Sequence, residues 1–561
     1  MNVGKATEPW ATRYAHACDW DQNFAPLAMT ELFASSVAAF GERPLGDFMG
    51  RTTTYAETMA EARRFAAGLQ DMGIAKGDRV GLFLPNVPVY LSAYFGAMLA
   101  GAVVVNFSPL YTATELEAQV ADSGARLLVT LDVPALLPTA LTVLKGSALE
   151  TLVVARLADM LPFFKGLGLR LLRRKDLIPL PRQSDVCTWR SVLSDAPPRN
   201  VAINPEQDLA LLQYTGGTTG TPKGAMLTHQ NLTANARQVN AIDPEQGKRD
   251  VIVGVLPFFH VFANACVLNR TVLNGGMIAM LPRFDATQCL ETLARVRATA
   301  MPGVPTMYQA LLDNPAMAHT DFSSLRVCIS GGAPLPPQVK QRFEAAAHAK
   351  LVEGYGLTET SGVVSSNPYS GDEHPGTIGQ PVPGTRLFLL DKEDPTRPAP
   401  EGEPGELAIN GPQVMRGYWN RPGADREVFT EIAGRTWLRT GDVATIDEDG
   451  YVRIVDRIKD MIAVGGFKVF PSQIEEVLRG NSAIKEALVI GVPDDYRGES
   501  PRAFVTLHPS ASEDGAALAV WLNQRLGKHE RVDAVVVRES LPKTMVGKLD
   551  RKALRTEVAK Q

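Results

Sequence analysis

Segments with helical periodicity alternate with short runs of β-branched and apolar residues along most of this chain. Residues 57–72 have the apolar spacing of an amphipathic helix and precede the apolar run 79–84, and residues 115–123 and 126–131 repeat that order. Helix-then-strand repeats are typical of a largely parallel sheet covered by helices, because parallel strands need a crossover connection. The pattern therefore predicts an α/β fold.

The pattern changes near Asp391 to short strands separated by turns, of which residues 405–409 and 450–455 are the clearest. After Asp456 a compact helix-and-strand segment follows. In a chain of 561 residues this predicts one large domain and one small one. We place them at residues 1–455, ending in a small β-rich subdomain, and at residues 456–561, an α+β unit.

Composition excludes several classes of protein. Apolar residues make up 45% of the chain, which excludes wholesale disorder, and the net charge of −4 argues against a general nucleic-acid coat. The N-terminal stretch lacks a secretory apolar core, so we predict a cytoplasmic protein. Widely spaced cysteines without a Cys-x-x-Cys pair predict free thiols in a reducing compartment. These cysteines are Cys18, Cys187, Cys266, Cys289 and Cys328.

Residues 87–107 carry no charge over a length that would cross a bilayer. Pro88, Gly96, Gly101 and Asn106 interrupt the apolar run, and a β-branched triplet follows Gly101. We therefore expect a helix, a glycine turn and a buried strand here, not a transmembrane helix.

Residues 160–175 mix large apolar side chains with cations and contain no acidic residue. A basic amphipathic helix can lie in a bilayer interface, where its cations meet anionic lipid, so the segment is a candidate peripheral contact with the inner membrane face. Pro162, Gly166 and Gly168 weaken the helix prediction. The alternative is an ordinary surface excursion packed on the large domain.

The most informative motif is a Gly/Thr-rich loop at residues 215–224, which follows the apolar run 209–213. Its glycines let backbone N–H groups approach an anion closely, its threonines add donors, and Lys223 adds a positive charge. This is phosphate-binding chemistry, but Pro222 and Gly224 beside the lysine exclude a Walker A loop. The alternative is a flexible Gly/Thr hairpin.

Four further clusters are weak signals when each is taken alone. In residues 353–360, Tyr355 lies between two glycines, so its ring could stand against a flat ligand such as a purine. Thr358 and Glu359 then supply a hydroxyl and a carboxylate. Residues 439–442 place an aspartate after a glycine turn, where it could accept hydrogen bonds from ribose hydroxyls. Residues 456–471 read as a charged linker with a double glycine, and residues 542–551 place a lysine behind a glycine. An ordinary turn is the alternative for the first two clusters, a plain linker for the third and a solvated lysine in an exposed turn for the fourth.

All five motifs occur in the order in which the adenylate-forming superfamily has them. The chain therefore resembles that superfamily of acyl-CoA synthetases, luciferases and nonribosomal adenylation domains from about residue 30 to residue 555. It looks most like bacterial long-chain fatty acid–CoA ligases, on the residues at 214–220, 353–359, 411–415 and 454–457.

The resemblance implies a large N-terminal domain of two layered α/β subdomains plus a β-rich one, followed by a mobile C-terminal domain. It also implies two half-reactions: a carboxylate attacks the α-phosphorus of ATP, and the thiol of coenzyme A then displaces AMP. The implied partners are a fatty acid, ATP and coenzyme A, with Mg²⁺ as cofactor. A homodimer is a further expectation, and nucleic acid is not an expected partner.

The resemblance also assigns site residues, group by group. Pyrophosphate would be cradled by Thr215, Gly216, Gly217, Thr218, Thr219, Gly220, Thr221, Pro222, Lys223 and Gly224. Adenine would lie against Gly332, Ala333, Glu353, Gly354, Tyr355 and Gly356, and ribose against Asp442 with Arg457 nearby. Glu359, with Thr215, would hold Mg²⁺. The implied catalytic residues are Lys548, Thr358 and Glu359.

Between the half-reactions the family rotates its C-terminal domain. The resemblance places the hinge at Asp456 and brings the loop of Gly465 and Gly466 to the site for the thioester step. His260, in an apolar segment, would line or gate the acyl pocket, although the same residues would suit a buried core.

Several alternatives stay open at this stage. The acid could be a dicarboxylate or an aryl acid, and the acyl group could be loaded onto a separate carrier protein. The chain runs thirteen residues past Lys548, so we expect no fused carrier domain. A luciferase-like oxygenase shares the motifs, but nothing in the sequence demands oxygen chemistry. An inactive binding homologue would be expected to lack Lys548, Glu359 or Asp442, and all three are present.

Overall fold

The computed structural model describes residues 8–172, 174–215, 222–245, 250–371, 374–465, 467–509, 511–544 and 548–559. The chain forms two compact units. The N-terminal unit comprises Trp10–Thr385 and Gly411–Glu427, and the C-terminal unit comprises Arg386–Asn410 and Val428–Gln561 together with Glu8 and Pro9.

The N-terminal unit contains two large sheets. Its strands are β1 Pro44–Phe48, β2 Arg51–Thr54, β3 Arg79–Leu82, β4 Val103–Asn106, β5 Ala125–Leu131, β6 Thr151–Ala155, β7 Val186–Thr188, β8 Leu209–Tyr214, β9 Gly224–Thr228, β10 Val251–Gly254, β11 Met277–Met280, β12 Ala300–Gly303, β13 Val327–Gly331, β14 Lys350–Tyr355, β15 Ser365–Ser366 and β16 Gln380–Pro381. One sheet has the order β7-β6-β5-β3-β4-β8-β9 and the other β16-β15-β14-β13-β12-β10-β11-β1-β2. All neighbours are parallel except at the edges, where β9, β2, β15 and β16 run antiparallel.

Helices connect these strands. They are α1 Met29–Phe40, α2 Tyr55–Asp71, α3 Pro88–Leu99, α4 Ala113–Ser123, α5 Leu137–Gly146, α6 Phe163–Leu172, α7 Trp189–Val192, α8 His229–Ala241, α9 Val261–Ala263, α10 Arg270–Asn274, α11 Ala286–Val296, α12 Pro305–Leu312, α13 Pro337–Ala347 and α14 Pro422–Val428. A π-helical segment, Asn264–Asn269, joins α9 to α10. The helix-then-strand expectation and the α/β fold class are confirmed.

Local sequence explains where the helices begin. Thr54 and Thr112 cap α2 and α4, and in each case a glutamate three residues later closes a capping box. In the apolar run 87–107, Pro88 occupies the first turn of α3, Gly101 turns the chain with φ of +80°, and β4 follows. The predicted helix, turn and strand are confirmed. Across the described residues, every helix is too short or too polar to cross a bilayer.

The C-terminal unit contains two five-stranded sheets. Its elements are β17 Arg386–Leu390, β18 Gly405–Asn410, β19 Phe429–Ile432, β20 Arg435–Ile446, β21 Val452–Arg457, β22 Ile462–Val464, β23 Phe467–Val469, α15 Pro471–Arg479, β24 Ile484–Asp494, β25 Gly498–Leu507, α16 Gly515–Asn523, β26 Val535–Val537 and α17 Arg551–Val558. β17 to β21 form the first sheet and β22 to β26 the second. The β-rich subdomain predicted after Asp391 is thus confirmed. The predicted boundary at residues 455 and 456 lies within β21, and as a point of motion it stays a prediction.

The cores lie between sheets and helices. In the N-terminal unit, α11, α12 and α13 cover one face of the nine-stranded sheet around Tyr308, Cys328 and Phe343. In the C-terminal unit, α15 and α16 pack on the second sheet around Ile474 and Leu522. All five cysteines are free thiols, as expected.

Candidate active site

The Gly/Thr-rich motif connects β8 to β9, an antiparallel pair at the edge of the seven-stranded sheet. Tyr214 pairs with Gly224 across the two strands, and the Thr215 N–H donates to the Lys223 carbonyl at 2.9 Å. The two ends of the loop therefore lie side by side at one point on the edge of the sheet. Residues 216–221 of the predicted cradle lie outside the described residues.

Lys223 and Glu359 meet at a residue that the sequence reasoning missed. The Lys223 ammonium lies 5.1 Å from the centre of the Tyr418 ring, and the Tyr418 hydroxyl donates to Glu359 Oε1 at 2.6 Å. Burial, together with the neighbouring Glu359 carboxylate, raises the pKa of Tyr418, so the hydroxyl stays a donor. The ring and its hydroxyl therefore join a cation and a carboxylate in one cluster.

Tyr418 reaches this place through an added strand-like segment. The Met226 N–H donates to the Gly417 carbonyl and the Trp419 N–H to the Gly224 carbonyl, at 2.9 and 2.8 Å. Residues 416–419 thus run beside β9 and fasten to the end of the Gly/Thr loop. The only sequence signal was that Tyr418 follows three residues after the motif at 411–415.

Thr358 and Glu359 lie on a short 3₁₀ helix, Thr358–Thr360, directly after β14. The Glu359 carbonyl accepts the Met415 N–H at 2.7 Å, and the Ser361 hydroxyl donates to the Gln413 carbonyl at 3.0 Å. The predicted motifs at 353–360 and 411–415 are therefore packed against each other. These two hydrogen bonds fasten the short 3₁₀ helix that carries Glu359 to residues 413–415.

The residues predicted to bind Mg²⁺ have the donor chemistry that this ion prefers. Mg²⁺ is bound in nucleotide sites by one or two carboxylates or hydroxyls, with phosphates and water supplying the other oxygens. Glu359 supplies a carboxylate that is half-buried and fixed by Tyr418. Thr215, at the neck of the loop, supplies a hydroxyl. The donor set fits the ion.

The residues predicted to contact adenine lie at the carboxyl ends of two neighbouring strands. Gly331 pairs with Gly354 in the parallel pair β13 and β14, so the segments that follow each strand leave the sheet side by side. Glu353 accepts the Leu335 N–H at 3.2 Å and so fastens the loop that contains Gly332 and Ala333.

Two positions in this cluster require glycine for conformational or steric reasons. Gly332 has φ of +84°, in the left-handed region that favours glycine. A Cβ on Gly356 would lie 1.5 Å from the Gly362 carbonyl oxygen, so no other residue fits there. Both positions therefore require glycine, and Tyr355, next to Gly356, is half-buried.

His260 caps the short helix α9 and is followed by the π-helical segment. Its Nδ1 accepts the Phe262 N–H at 3.3 Å. The Gln213 amide donates to the Phe259 carbonyl at 2.8 Å, which ties this loop to the end of β8. Phe258 is fully buried, as a core residue would be, whereas Phe259 and Phe262 are half-buried.

In the C-terminal unit, three of the predicted site residues are neighbours. Arg457 Nε lies 2.8 Å from Asp442 Oδ1, and the Asp442 carboxylate is almost wholly buried. The charges of both side chains act on the Lys548 ammonium: Arg457 lowers the pKa of Lys548, and Asp442 raises it. Burial is the largest influence and brings the pKa of Lys548 down to about 8.

Local bonds position each of these side chains. Gly441 has φ of +72°, and its N–H donates to the Glu406 carboxylate at 3.1 Å, which fixes the turn before Asp442. The Thr544 N–H donates to the Lys548 carbonyl at 2.7 Å, so Lys548 stands at the base of a closed loop. Residues 545–547 lie outside the described residues.

Asp456 is a buried carboxylate at the end of β21. One oxygen accepts the Arg457 N–H at 2.7 Å, and the other accepts the Ser472 N–H at 2.8 Å, in the first turn of α15. This helix-capping role was not foreseen. Gly465 has φ of +57° and an open space where a Cβ would stand, and Gly466 lies outside the described residues.

Comparison with known proteins places these features in a family. The AMP-binding enzyme family matches residues 33–419, and the AMP-binding enzyme C-terminal domain matches residues 473–548. A long-chain-fatty-acid–CoA ligase of Bacillus subtilis is 38% identical over 99% of this chain and 98% of its own. A ligase with the same description from Escherichia coli O6:H1 is 40% identical over 94% of each chain.

Among solved structures, ATP-bound MatB from Rhodopseudomonas palustris superposes with a TM-score of 0.82 at 29% identity. The match covers 95% of this chain and 99% of that one. Both family domains are thus present, in order, on a fold that a nucleotide-bound relative shares. The chain belongs to the AMP-binding enzyme family, within the adenylate-forming superfamily of acyl-CoA synthetases.

Proposed function

We propose that this protein is an ATP-dependent acid–thiol ligase that activates a medium- or long-chain fatty acid and transfers it to coenzyme A. The acid would first become an acyl-adenylate with release of pyrophosphate, and the thiol would then displace AMP. The observation that carries this proposal is the likeness, over almost the whole length, to curated long-chain-fatty-acid–CoA ligases.

The first half-reaction brings a carboxylate toward a polyanion, so its main need is neutralisation of charge. In this proposal the Gly/Thr loop and Lys223 receive the β- and γ-phosphates. Tyr418 keeps Lys223 and Glu359 in place through its ring face and its hydroxyl. Mg²⁺ would be held by Glu359 and Thr215, and when bound it would neutralise charge on the phosphate oxygens.

The group of Asp442, Arg457 and Lys548 would act on the ribose and on the reacting phosphate. Asp442 would accept hydrogen bonds from the ribose hydroxyls, and its pairing with Arg457 holds that carboxylate in one orientation. Lys548 attracts both the substrate carboxylate and the α-phosphate as charge moves between them. His260 and the half-buried Phe259 and Phe262 would border the acyl chain.

The proposal is tested by exchange of labelled pyrophosphate into ATP with a panel of acids and no coenzyme A. Exchange with fatty acids, followed by AMP and thioester when coenzyme A is added, is the expected result. ADP as the product, or no exchange with any acid, would contradict the proposal. Exchange only with dicarboxylates or aryl acids would show that the substrate belongs to one of those classes and is not a fatty acid. Acyl transfer only to a carrier protein would show that the acceptor is that protein and not coenzyme A.

We also propose peripheral contact with the inner face of the membrane through residues 160–175, and we retain the homodimer as a proposal. Sedimentation velocity of the purified protein tests the second of these. A single species at the mass of one chain at all concentrations would exclude the dimer.

Tyr418→Phe tests the positioning of Glu359. The substitution removes the hydroxyl that donates to Glu359 but keeps the ring beneath Lys223. Loss of such an outer partner typically lowers metal affinity or activity about 10- to 100-fold. We therefore expect a higher Mg²⁺ requirement in pyrophosphate exchange, restored in part at high Mg²⁺.

Tyr451→Phe is the matched control for that experiment, because it removes the hydroxyl of a buried tyrosine in the C-terminal unit. The control should keep the wild-type Mg²⁺ dependence. An unchanged Mg²⁺ dependence in Tyr418→Phe would remove Tyr418 from the site.

The lowered pKa of Lys548 predicts the pH dependence of adenylation. Only the protonated ammonium attracts anions, and the protonated fraction falls as pH rises through the pKa of about 8. The kcat/KM of pyrophosphate exchange should therefore be level below about pH 8 and fall about tenfold per pH unit above it. Lys548→Arg stays charged throughout, so its weaker activity should lack this fall. A wild-type profile that stays level well above pH 8 would contradict the assignment.

A further inference from the structure

Helix α6 turns its apolar side away from the protein. Five large apolar side chains on this ten-residue helix are exposed, which is half of the ten exposed large apolar residues among those that the structure describes. They are Phe163 (77% exposed), Phe164 (84%), Leu167 (43%), Leu171 (66%) and Leu172 (86%). A surface helix normally directs such a stripe at the core, so this arrangement is reversed.

The exposed residues form one continuous face. At about 100° per residue, Phe163, Phe164, Leu167 and Leu171 fall within about 100° of the helix circumference. Arg170 lies about 20° outside one edge of this sector, whereas Lys165 lies about 100° beyond the other edge. The face is therefore an apolar strip with one cation at its edge, and Leu172 lies about 80° beyond the other edge.

Residues of α6 outside this sector hold the helix to the N-terminal unit by polar and close backbone contacts. Gly166 is the one buried residue of α6, and a Cβ there would lie 2.5 Å from the Ala158 carbonyl oxygen. Arg170 forms an ion pair with Asp159, and Lys165 donates to the Met49 carbonyl at 2.9 Å. The helix is thus fixed in place, and its apolar face remains exposed.

We infer that α6 is a docking element that inserts its apolar face into the surface of an anionic lipid bilayer. The occupant is identified by charge complementarity. Residues 160–175 contain five basic residues and no acidic one, so an anionic surface is attracted while the aromatic and leucine side chains enter the acyl boundary. Lys175, at the end of the segment, is exposed as well. Arg190, also exposed, adds a further cation beside Asp159.

The docking brings the enzyme to the place where its proposed substrate partitions. A fatty acid with a long apolar chain is concentrated in bilayers, so a ligase held at the surface meets it without a carrier. The inference itself is independent of the ligase proposal, because binding to lipid needs neither ATP nor coenzyme A. Failure of one therefore leaves the other testable.

The test is flotation of the purified full-length protein with phosphatidylcholine vesicles, with and without phosphatidylglycerol as anionic lipid. We expect binding to the anionic vesicles that weakens as salt is raised. A triple variant, Phe163→Gln, Phe164→Gln and Leu171→Gln, should bind at least about 100-fold more weakly, because each buried apolar side chain contributes about tenfold or more. The replaced side chains are exposed, so the variant should unfold at the wild-type temperature.

The matched control replaces three exposed apolar residues elsewhere: Leu110→Gln, Tyr496→Gln and Val520→Gln. It should bind vesicles as the wild-type protein does. Equal binding by both triple variants, or no binding of the wild-type protein to anionic vesicles, would overturn the inference. A third outcome would also overturn it: the wild-type protein is a dimer, and the α6 triple variant is a monomer that still binds vesicles as the wild-type protein does. The apolar face of α6 would then bind a second copy of this chain.

Discussion

Lys548→Ala should lower the rate of acyl-adenylate formation about 100- to 1000-fold, by analogy with the loss of one positioned charge-stabilising donor. The same variant should still convert supplied acyl-adenylate and coenzyme A to thioester. The physical reason is that only the first half-reaction brings two anions together. The measurements are pyrophosphate exchange for the first step and thioester formation from synthetic acyl-adenylate for the second.

Lys543→Ala is the matched control, because Lys543 lies five residues away and pairs with Glu486 at 2.6 Å on the surface. Loss of an exposed pair of this kind changes stability by at most about 1 kcal/mol. Both half-reactions should therefore stay close to the wild-type rates in the control. Equal loss of both half-reactions in Lys548→Ala would contradict the assignment of this lysine to adenylation.

Asp456→Pro should spare adenylate formation and lower thioester formation about 100-fold or more, since small misplacements of reacting groups already cost that much. Proline fixes φ near −65°, so residue 456 could no longer absorb the backbone change that the proposed rotation of residues 456–561 requires. The two half-reactions are measured separately, as for Lys548.

The helix-capping role of Asp456 makes a second variant necessary. Asp456→Pro also leaves the Ser472 N–H without its acceptor, at a cost of about 1–3 kcal/mol if that group stays buried. Asp456→Ala shares this loss but leaves φ free, and it should retain both half-reactions. Normal turnover by Asp456→Pro would place the hinge elsewhere. Loss of adenylation by Asp456→Pro alone, in a folded protein, would also contradict the hinge.

The motifs could be predicted from the sequence because each is a local pattern with a local physical reason. A glycine turn, with φ of +72° at Gly441, marks the position before Asp442, and a strand followed by a Gly/Thr loop and a lysine marks the phosphate cradle. The capping boxes of α2 and α4 likewise lie within four residues. Short-range patterns of this kind depend only on residues that are close in the sequence, so they can be recognised before the fold is known.

Tyr418 shows what the sequence could not supply. It lies 59 residues from the glutamate that accepts its hydroxyl, and no spacing rule connects the two. The contact exists because residues 416–419 run beside β9, and strand pairing between distant segments is decided by the packed sheet. The helix-capping role of Asp456 escaped prediction for the same reason, since Ser472 lies on another element.

The order of its motifs was enough to assign this chain to its superfamily, and its helix-and-strand periodicity was enough to predict the α/β class. The motifs and the periodicity are both patterns of residues that are neighbours in the sequence. The tertiary structure alone decided which side chains meet: Lys223, Tyr418 and Glu359 in one unit, and Asp442, Arg457 and Lys548 in the other. It also decided that the apolar side of α6 faces outward, because burial depends on what packs against a helix and not on the periodicity of the helix itself.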